Sequence, residues 1–103
     1  MHLIQLLLPL YDNDGQPQPR QLFIAVRDQL IERFGGLTAY NRAPADGLWQ
    51  EGKGGDTMRD DLVIYEVMAQ ELDARWWQAY RADLEQRFRQ EKLIVRAQGI
   101  MLL

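Results

Sequence analysis

Residues 62–68, Leu62-Val63-Ile64-Tyr65-Glu66-Val67-Met68, form a run rich in β-branched and aromatic side chains. Such a run predicts a strand. Its alternation puts Leu62, Ile64, Glu66 and Met68 on one face. The flanking segments decide which fold this strand belongs to. On the N-terminal side Leu37 to Arg42 reads as another strand, followed by a turn at Ala43 to Gly47. Leu48-Trp49-Gln50 is a brief return of strand or bulge, and Glu51 to Asp56 is a glycine-rich tip. On the C-terminal side Leu72, Trp76, Trp77, Tyr80, Leu84 and Phe88 recur at helical spacing, which predicts a helix from about Leu72 to Gln90.

Further out, Leu22, Phe23, Val26, Leu30, Ile31 and Phe34 make the apolar face of a helix over Arg20 to Phe34. Pro19 suits its first turn, and Gly35-Gly36 ends it, because glycine accepts the left-handed conformation of a helix cap. Tyr11 to Pro19 is a turn-rich loop. Leu3 to Leu10 reads as the first strand, and Lys92 to Leu103 as the last, with a bend or bulge at Gly99. The order is therefore β-α-β-β-α-β, which predicts an α+β fold: a ferredoxin-like sandwich with an antiparallel sheet. Residues 1–103 are read as one such domain.

In the first strand Ile4, Leu6, Leu8 and Leu10 share one face, and Leu3, Gln5 and Leu7 the other. Apolar residues on both faces imply cover on both sides. Two helices cover one face of such a sandwich, so the expected cover for the other is a second subunit, giving a homodimer through the sheet face.

Composition narrows the function. The net charge of −3 argues against nucleic acid and against an anionic membrane surface as partners. The absence of cysteine excludes disulfides, thiolate catalysis and Cys-ligated metals. The apolar start lacks a basic segment and a cleavage site, so it is not read as a signal peptide, and a cytoplasmic location is expected. Gly52-Lys53-Gly54-Gly55 lacks the Walker spacing, and Asp56, Asp60 and Asp61 lack the spacing of a calcium loop. No metal site and no cofactor signature emerge.

Two groups of candidate residues remain. A carboxylate inside an apolar strand, Glu66, is costly to bury unless paired, and its neighbour Tyr65 is a second titratable group; together they are the catalytic candidates. The structural alternative for Glu66 is a partner subunit or an arginine such as Arg42 or Arg96. Tyr40, Arg42 and Trp49, with Tyr65, are candidates to line a cavity for a planar acidic ligand, through stacking and a bidentate hydrogen bond. The same residue types are enriched at protein interfaces. Adjacent Trp76 and Trp77 lie about 100° apart around a helix, so only one of them is expected in the core.

Arg33-Phe34-Gly35-Gly36-Leu37-Thr38, Gly47-Leu48-Trp49, and Tyr80 followed by Phe88-Arg89-Gln90-Glu91 resemble segments of a family of small bacterial proteins of ferredoxin-like fold. The likeness runs from about Gly15 to Val95. That family brings no activity to carry across, and its members often bear an export leader, which is not seen here. More broadly the pattern is similar to the dimeric α+β barrel superfamily, in which two sheets pack face to face. Some members of that superfamily are cofactor-independent monooxygenases, a resemblance that would give Asn41, Trp49 and Tyr65 pocket roles. The expected function is a homodimeric ligand-binding or structural module. The alternative is a small monooxygenase-like enzyme acting on an aromatic or acidic molecule.

Overall fold

The computed structural model describes residues 1–40, 46–50 and 57–103, and the side chains of residues 1–40 and 61–103. Its elements are β1 (His2–Pro9), α1 (Arg20–Phe34), β2 (Thr38–Tyr40), β3 (Asp46–Gln50), β4 (Thr57–Ala69), α2 (Ala74–Arg87) and β5 (Ile94–Gly99). The antiparallel sheet runs β2-β4-β1-β5, with β3 also paired to β4. This is the expected ferredoxin-like α+β arrangement. β2 ends opposite Ile64 and β3 begins opposite Asp61, so the two segments pair with successive stretches of the long strand β4.

β1 and β4 are the central strands. Their register runs from His2 opposite Ala69 to Pro9 opposite Leu62. Alternation turns Ile4, Leu6 and Leu8 of β1, and Val63, Tyr65 and Val67 of β4, toward the helices, where all are buried. Val26 and Leu30 of α1, and Trp77, Tyr80 and Leu84 of α2, meet them there with Phe88 and Leu93 to form one core.

Sequence punctuation explains the helix limits. Pro19 is the N-cap residue of α1. Gly35 takes φ +82° and donates its N–H to the Ile31 carbonyl at 2.8 Å. α2 begins later than Leu72, because Asp73 is its N-cap and accepts from the Trp76 N–H at 3.1 Å. A side-chain acceptor there satisfies a helix N–H that Leu72 cannot reach. Leu72 is consequently exposed rather than part of the buried stripe. Ile31, expected on the buried face of α1, is also exposed, since the core takes Val26 and Leu30. β5 stops at Gly99, and Met101 to Leu103 lie exposed beyond it. Gly99 is an ordinary strand-end residue with no positive φ.

Three polar ties fix the layers. Buried Gln18 donates to the Phe88 carbonyl at 2.7 Å, anchoring the β1–α1 loop to the end of α2. Asp12 Oδ1 accepts from the N–H groups of Asp14 and Gln16, folding the same loop on itself. Between the helices, Gln29 Oε1 accepts from Tyr80 Oη at 2.8 Å and from Arg87 at 3.0 Å. Trp77 is the core tryptophan, stacked on Phe34 with ring centroids 5.2 Å apart. Trp76 stays half-buried, with the Arg33 guanidinium 4.1 Å above its ring.

Two outcomes follow from the core. Leu84 is fully buried, so Leu84→Ala should cost about 2–5 kcal/mol in denaturant unfolding, through lost transfer energy and the cavity left behind. Burial pushes the Tyr80 phenol up to about 12. The neutral phenol thus favours the folded state fully below about pH 10, and that contribution is lost as the pH rises from about 10 through 12. In alkaline unfolding curves Tyr80→Phe should flatten the decline across that window.

Candidate functional site

The sheet face away from the helices follows from the same alternation. β1 places Leu3, Gln5, Leu7 and Pro9 on it, and β4 places Leu62, Ile64, Glu66 and Met68. β5 adds Ile94, Arg96 and Gln98, and β2 adds Thr38 and Tyr40. Nothing among the described residues covers this face: Met68 is 50% exposed, Ile94 48% and Tyr40 46%. A sheet face that leaves several apolar side chains half-exposed is a candidate interaction surface.

One polar row crosses it. Register aligns Arg96 with Gln5, Gln5 with Glu66, and Glu66 with Thr38, on four neighbouring strands. The side chains are joined. Arg96 Nε donates to Gln5 Oε1 at 2.8 Å, and Gln5 Nε2 donates to Glu66 Oε1 at 2.6 Å. From β2, Tyr40 Oη donates to Glu66 Oε2 at 3.2 Å. Apolar residues flank the row: Ile94, Leu7 and Ile64 on one side, Leu3 and Met68 on the other.

Both donors to Glu66 are neutral, so they hold the carboxylate without cancelling its charge. The Arg96 charge sits two strands away, and among the described residues Arg96 makes no ion pair. The row is thus charged at two points, positive on β5 and negative on β4. The carboxylate in turn raises the Tyr40 phenol above its ordinary range, first by its charge and then by accepting the hydrogen bond.

A shallow cavity of about 420 Å³ opens where this face meets the β1–α1 loop. Leu7, Leu62 and Ile94 form an apolar floor, Tyr11, Asn13 and Gln90 contribute an aromatic ring and two amides, and Asp12, Asp61 and Lys92 bring charged groups to the lining. Its volume is in the range of small-molecule sites. Among the described residues no three His, Asp or Glu side chains converge as metal ligands.

The sequence candidates divide as follows. Glu66 and Tyr40 meet on the open face, and Arg96 is linked to Glu66 through Gln5 rather than directly. Tyr65 turns to the opposite face. It is buried among the helices, and its hydroxyl donates to the Phe23 carbonyl at 3.4 Å. It therefore shares no pocket with Glu66 or Tyr40. Burial raises its phenol, partly offset by the Arg27 charge. Asn41 and Arg42 lie outside the described residues, and Trp49 is placed only as a backbone position on β3. Sequence reasoning assigned no role to Gln5. The signal was present, as the one polar side chain between Leu3 and Leu7, but its partners depend on register.

No protein-family model matches the chain, and no curated protein does. Among solved structures it is similar to a phage SAM lyase in complex with S-methyl-5′-thioadenosine, at 18% identity over 94% of this chain and 79% of that one, with TM-score 0.59. It is also similar to a phage SAM lyase in the apo state, at 14% identity over 94% of this chain and 78% of that one, with TM-score 0.61. At these identities the likeness defines a small α+β protein with an antiparallel sheet and carries no family assignment.

The Glu66–Tyr40 contact has a spectroscopic consequence. Glu66→Gln removes the charge that holds the phenol up, so the Tyr40 pKa should fall back toward about 10. Titration of ring-labelled tyrosine by NMR, with Tyr40→Phe to assign the resonance, reads this directly.

Proposed function

We propose that this chain is a homo-oligomeric ligand-binding module, in which a second copy covers the open sheet face and a small molecule occupies the cavity at its end. The observation that carries this reading is the uncovered sheet face itself, where exposed apolar rows enclose a hydrogen-bonded polar row. A face of this kind pays for its exposure only if something packs on it. The resemblance to the dimeric α+β barrel superfamily points the same way.

The cavity chemistry suits a compact heteroaromatic ligand with polar substituents, since Asp12, Asp61 and Lys92 line the cavity beside the apolar floor. Its floor is apolar, Tyr11 offers a stacking surface, and the Asn13 and Gln90 amides supply both donors and acceptors. Tyr40, Arg42 and Trp49 are retained as ligand candidates, and β3, which carries Trp49, pairs with β4 just beyond Leu62 at the cavity end of the sheet. S-Methyl-5′-thioadenosine is the first probe to try, since a solved protein of this fold holds it.

A second reading is enzymatic, with SAM as substrate. The fold likeness to SAM lyase favours it, together with a Glu66 carboxylate held only by neutral donors, which suits a cationic sulfonium. This reading takes precedence over a monooxygenase.

Isothermal titration calorimetry with S-methyl-5′-thioadenosine, beside chromatography of SAM incubated with the protein, tests both readings. Binding weakened at least about tenfold by Tyr11→Ala, without turnover, supports the binding module. Formation of S-methyl-5′-thioadenosine that Glu66→Gln abolishes supports the enzyme. Neither binding nor turnover removes this ligand class.

A further inference from the structure

We infer that the second copy packs on the open face about a two-fold axis parallel to β1 and lying over it, so that Arg96 of each copy meets Glu66 of the other. This deepens, and rests on, the reading that a second copy covers the face.

Arg96 and Glu66 lie on the two strands that flank β1, at the same level, with Gln5 between them. Strands are about 4.8 Å apart, so each charge sits one strand from the centre line, on opposite sides. Two sheets packed face to face about a two-fold axis allow two simple orientations. An axis along the strands exchanges left and right. It sets β5 of one copy over β4 of the other, and Arg96 over Glu66, twice. An axis across the strands, through the polar row, keeps left and right. It sets Arg96 over Arg96 and Glu66 over Glu66. Like charges facing each other in a partly desolvated interface are strongly unfavourable, and opposite charges fix the register.

The flanking residues fit the first orientation. An axis along β1 sets Leu7 over Leu7 and Leu3 over Leu3, both on the centre line. It also sets Ile94 over Ile64, so the exposed apolar row meets itself. The axis across the strands would set Ile94 over Gln98 instead. Packed sheets cross at about 30°, which displaces a residue one strand from the axis by only about 2–3 Å, within the reach of an arginine side chain.

The intrachain bonds prepare both partners. Gln5 holds the Arg96 guanidinium through Nε alone, leaving its two terminal nitrogens for a carboxylate from outside. Glu66 is steadied by Gln5 and Tyr40 while keeping its charge. The surface is therefore complementary to itself, and the occupant it fits is another copy of this chain.

Charge exchange between chains tests the arrangement. Arg96→Glu and Glu66→Arg each replace two attractive pairs by two repulsive ones. Each variant alone should therefore dimerise at least about tenfold more weakly than the native chain in sedimentation equilibrium. An equimolar mixture should recover the dimer as a heterodimer, identified by its mass in native mass spectrometry. Arg96→Gln separates the two axes: it weakens the dimer if Arg96 faces Glu66, and strengthens it if Arg96 faces Arg96. The chain has no cysteine, so single-cysteine cross-linking gives a second readout that leaves the polar row intact. Leu7→Cys should be joined to its copy by a short bis-maleimide, and Ile31→Cys, on the outer side of α1, should not.

A native dimer that ignores all three charge variants, or that fails to cross-link at Leu7→Cys, overturns the axis and leaves the oligomer reading standing. A native trimer or higher ring overturns the two-fold. A native monomer overturns the oligomer reading as well. Should the charge variants fail to fold, the Leu7→Cys cross-link decides alone.

Discussion

The pairing of β1 with β4 organises the rest of the molecule. From His2 opposite Ala69 to Pro9 opposite Leu62, the two strands hold one unbroken antiparallel register. Because side chains alternate with a period of two, this register fixes two surfaces at once. One is the wall of Ile4, Leu6, Leu8, Val63, Tyr65 and Val67 on which both helices pack. The other is the open face, where Gln5 meets Glu66 and Leu7 meets Ile64. A slip of one residue would send Gln5 and Glu66 into the core and bring the apolar set out. The core and the candidate site are therefore two sides of one constraint.

The helices matter to the site mainly by what they leave uncovered. α1 and α2 are locked together by the Tyr80, Arg87 and Gln29 cluster, and to the loop after β1 by Gln18. With their apolar sides spent on one sheet face, neither reaches the other. The open face is accordingly left with half-exposed Met68 and Ile94, and with a polar row in which Gln5 and Tyr40 hold Glu66 while Gln5 holds Arg96 through Nε alone. Hydrogen-bonded groups cost far less to cover than unpaired ones, so the bonds among Gln5, Glu66 and Tyr40 lower the cost of covering this row.

Much of the fold was legible in the sequence because punctuation and periodicity agreed. Pro19 and Gly35 bracket α1, and its limits at Arg20 and Phe34 match the reading from residues alone. The face shared by Leu62, Ile64, Glu66 and Met68 was equally readable, since alternation within one strand is local. What escaped was everything that depends on a partner. α2 starts after Asp73 because that carboxylate captures a helix N–H, a local competition that apolar spacing does not reveal. Tyr65 looked like a companion to Glu66 because the two are adjacent, yet adjacency in a strand guarantees opposite faces. The link from Arg96 through Gln5 to Glu66 spans residues far apart in sequence and exists only once the register of three strands is set.

Solvent accessibility of the open-face methyl groups shows whether a second copy covers the sheet. In a single chain the methyls of Met68 and Ile94 are half-exposed, whereas those of Ile4 and Leu6 are buried. Paramagnetic relaxation by a soluble, inert probe, read on methyl-labelled protein by NMR, distinguishes the two classes. If a second copy covers the face, Ile64, Ile94 and Met68 will be shielded as well as Ile4 is, while Met101 and Ile31 stay strongly relaxed. If Ile94 and Met68 relax as strongly as Met101, the face is open in solution, and the account of this sheet as an interface is wrong.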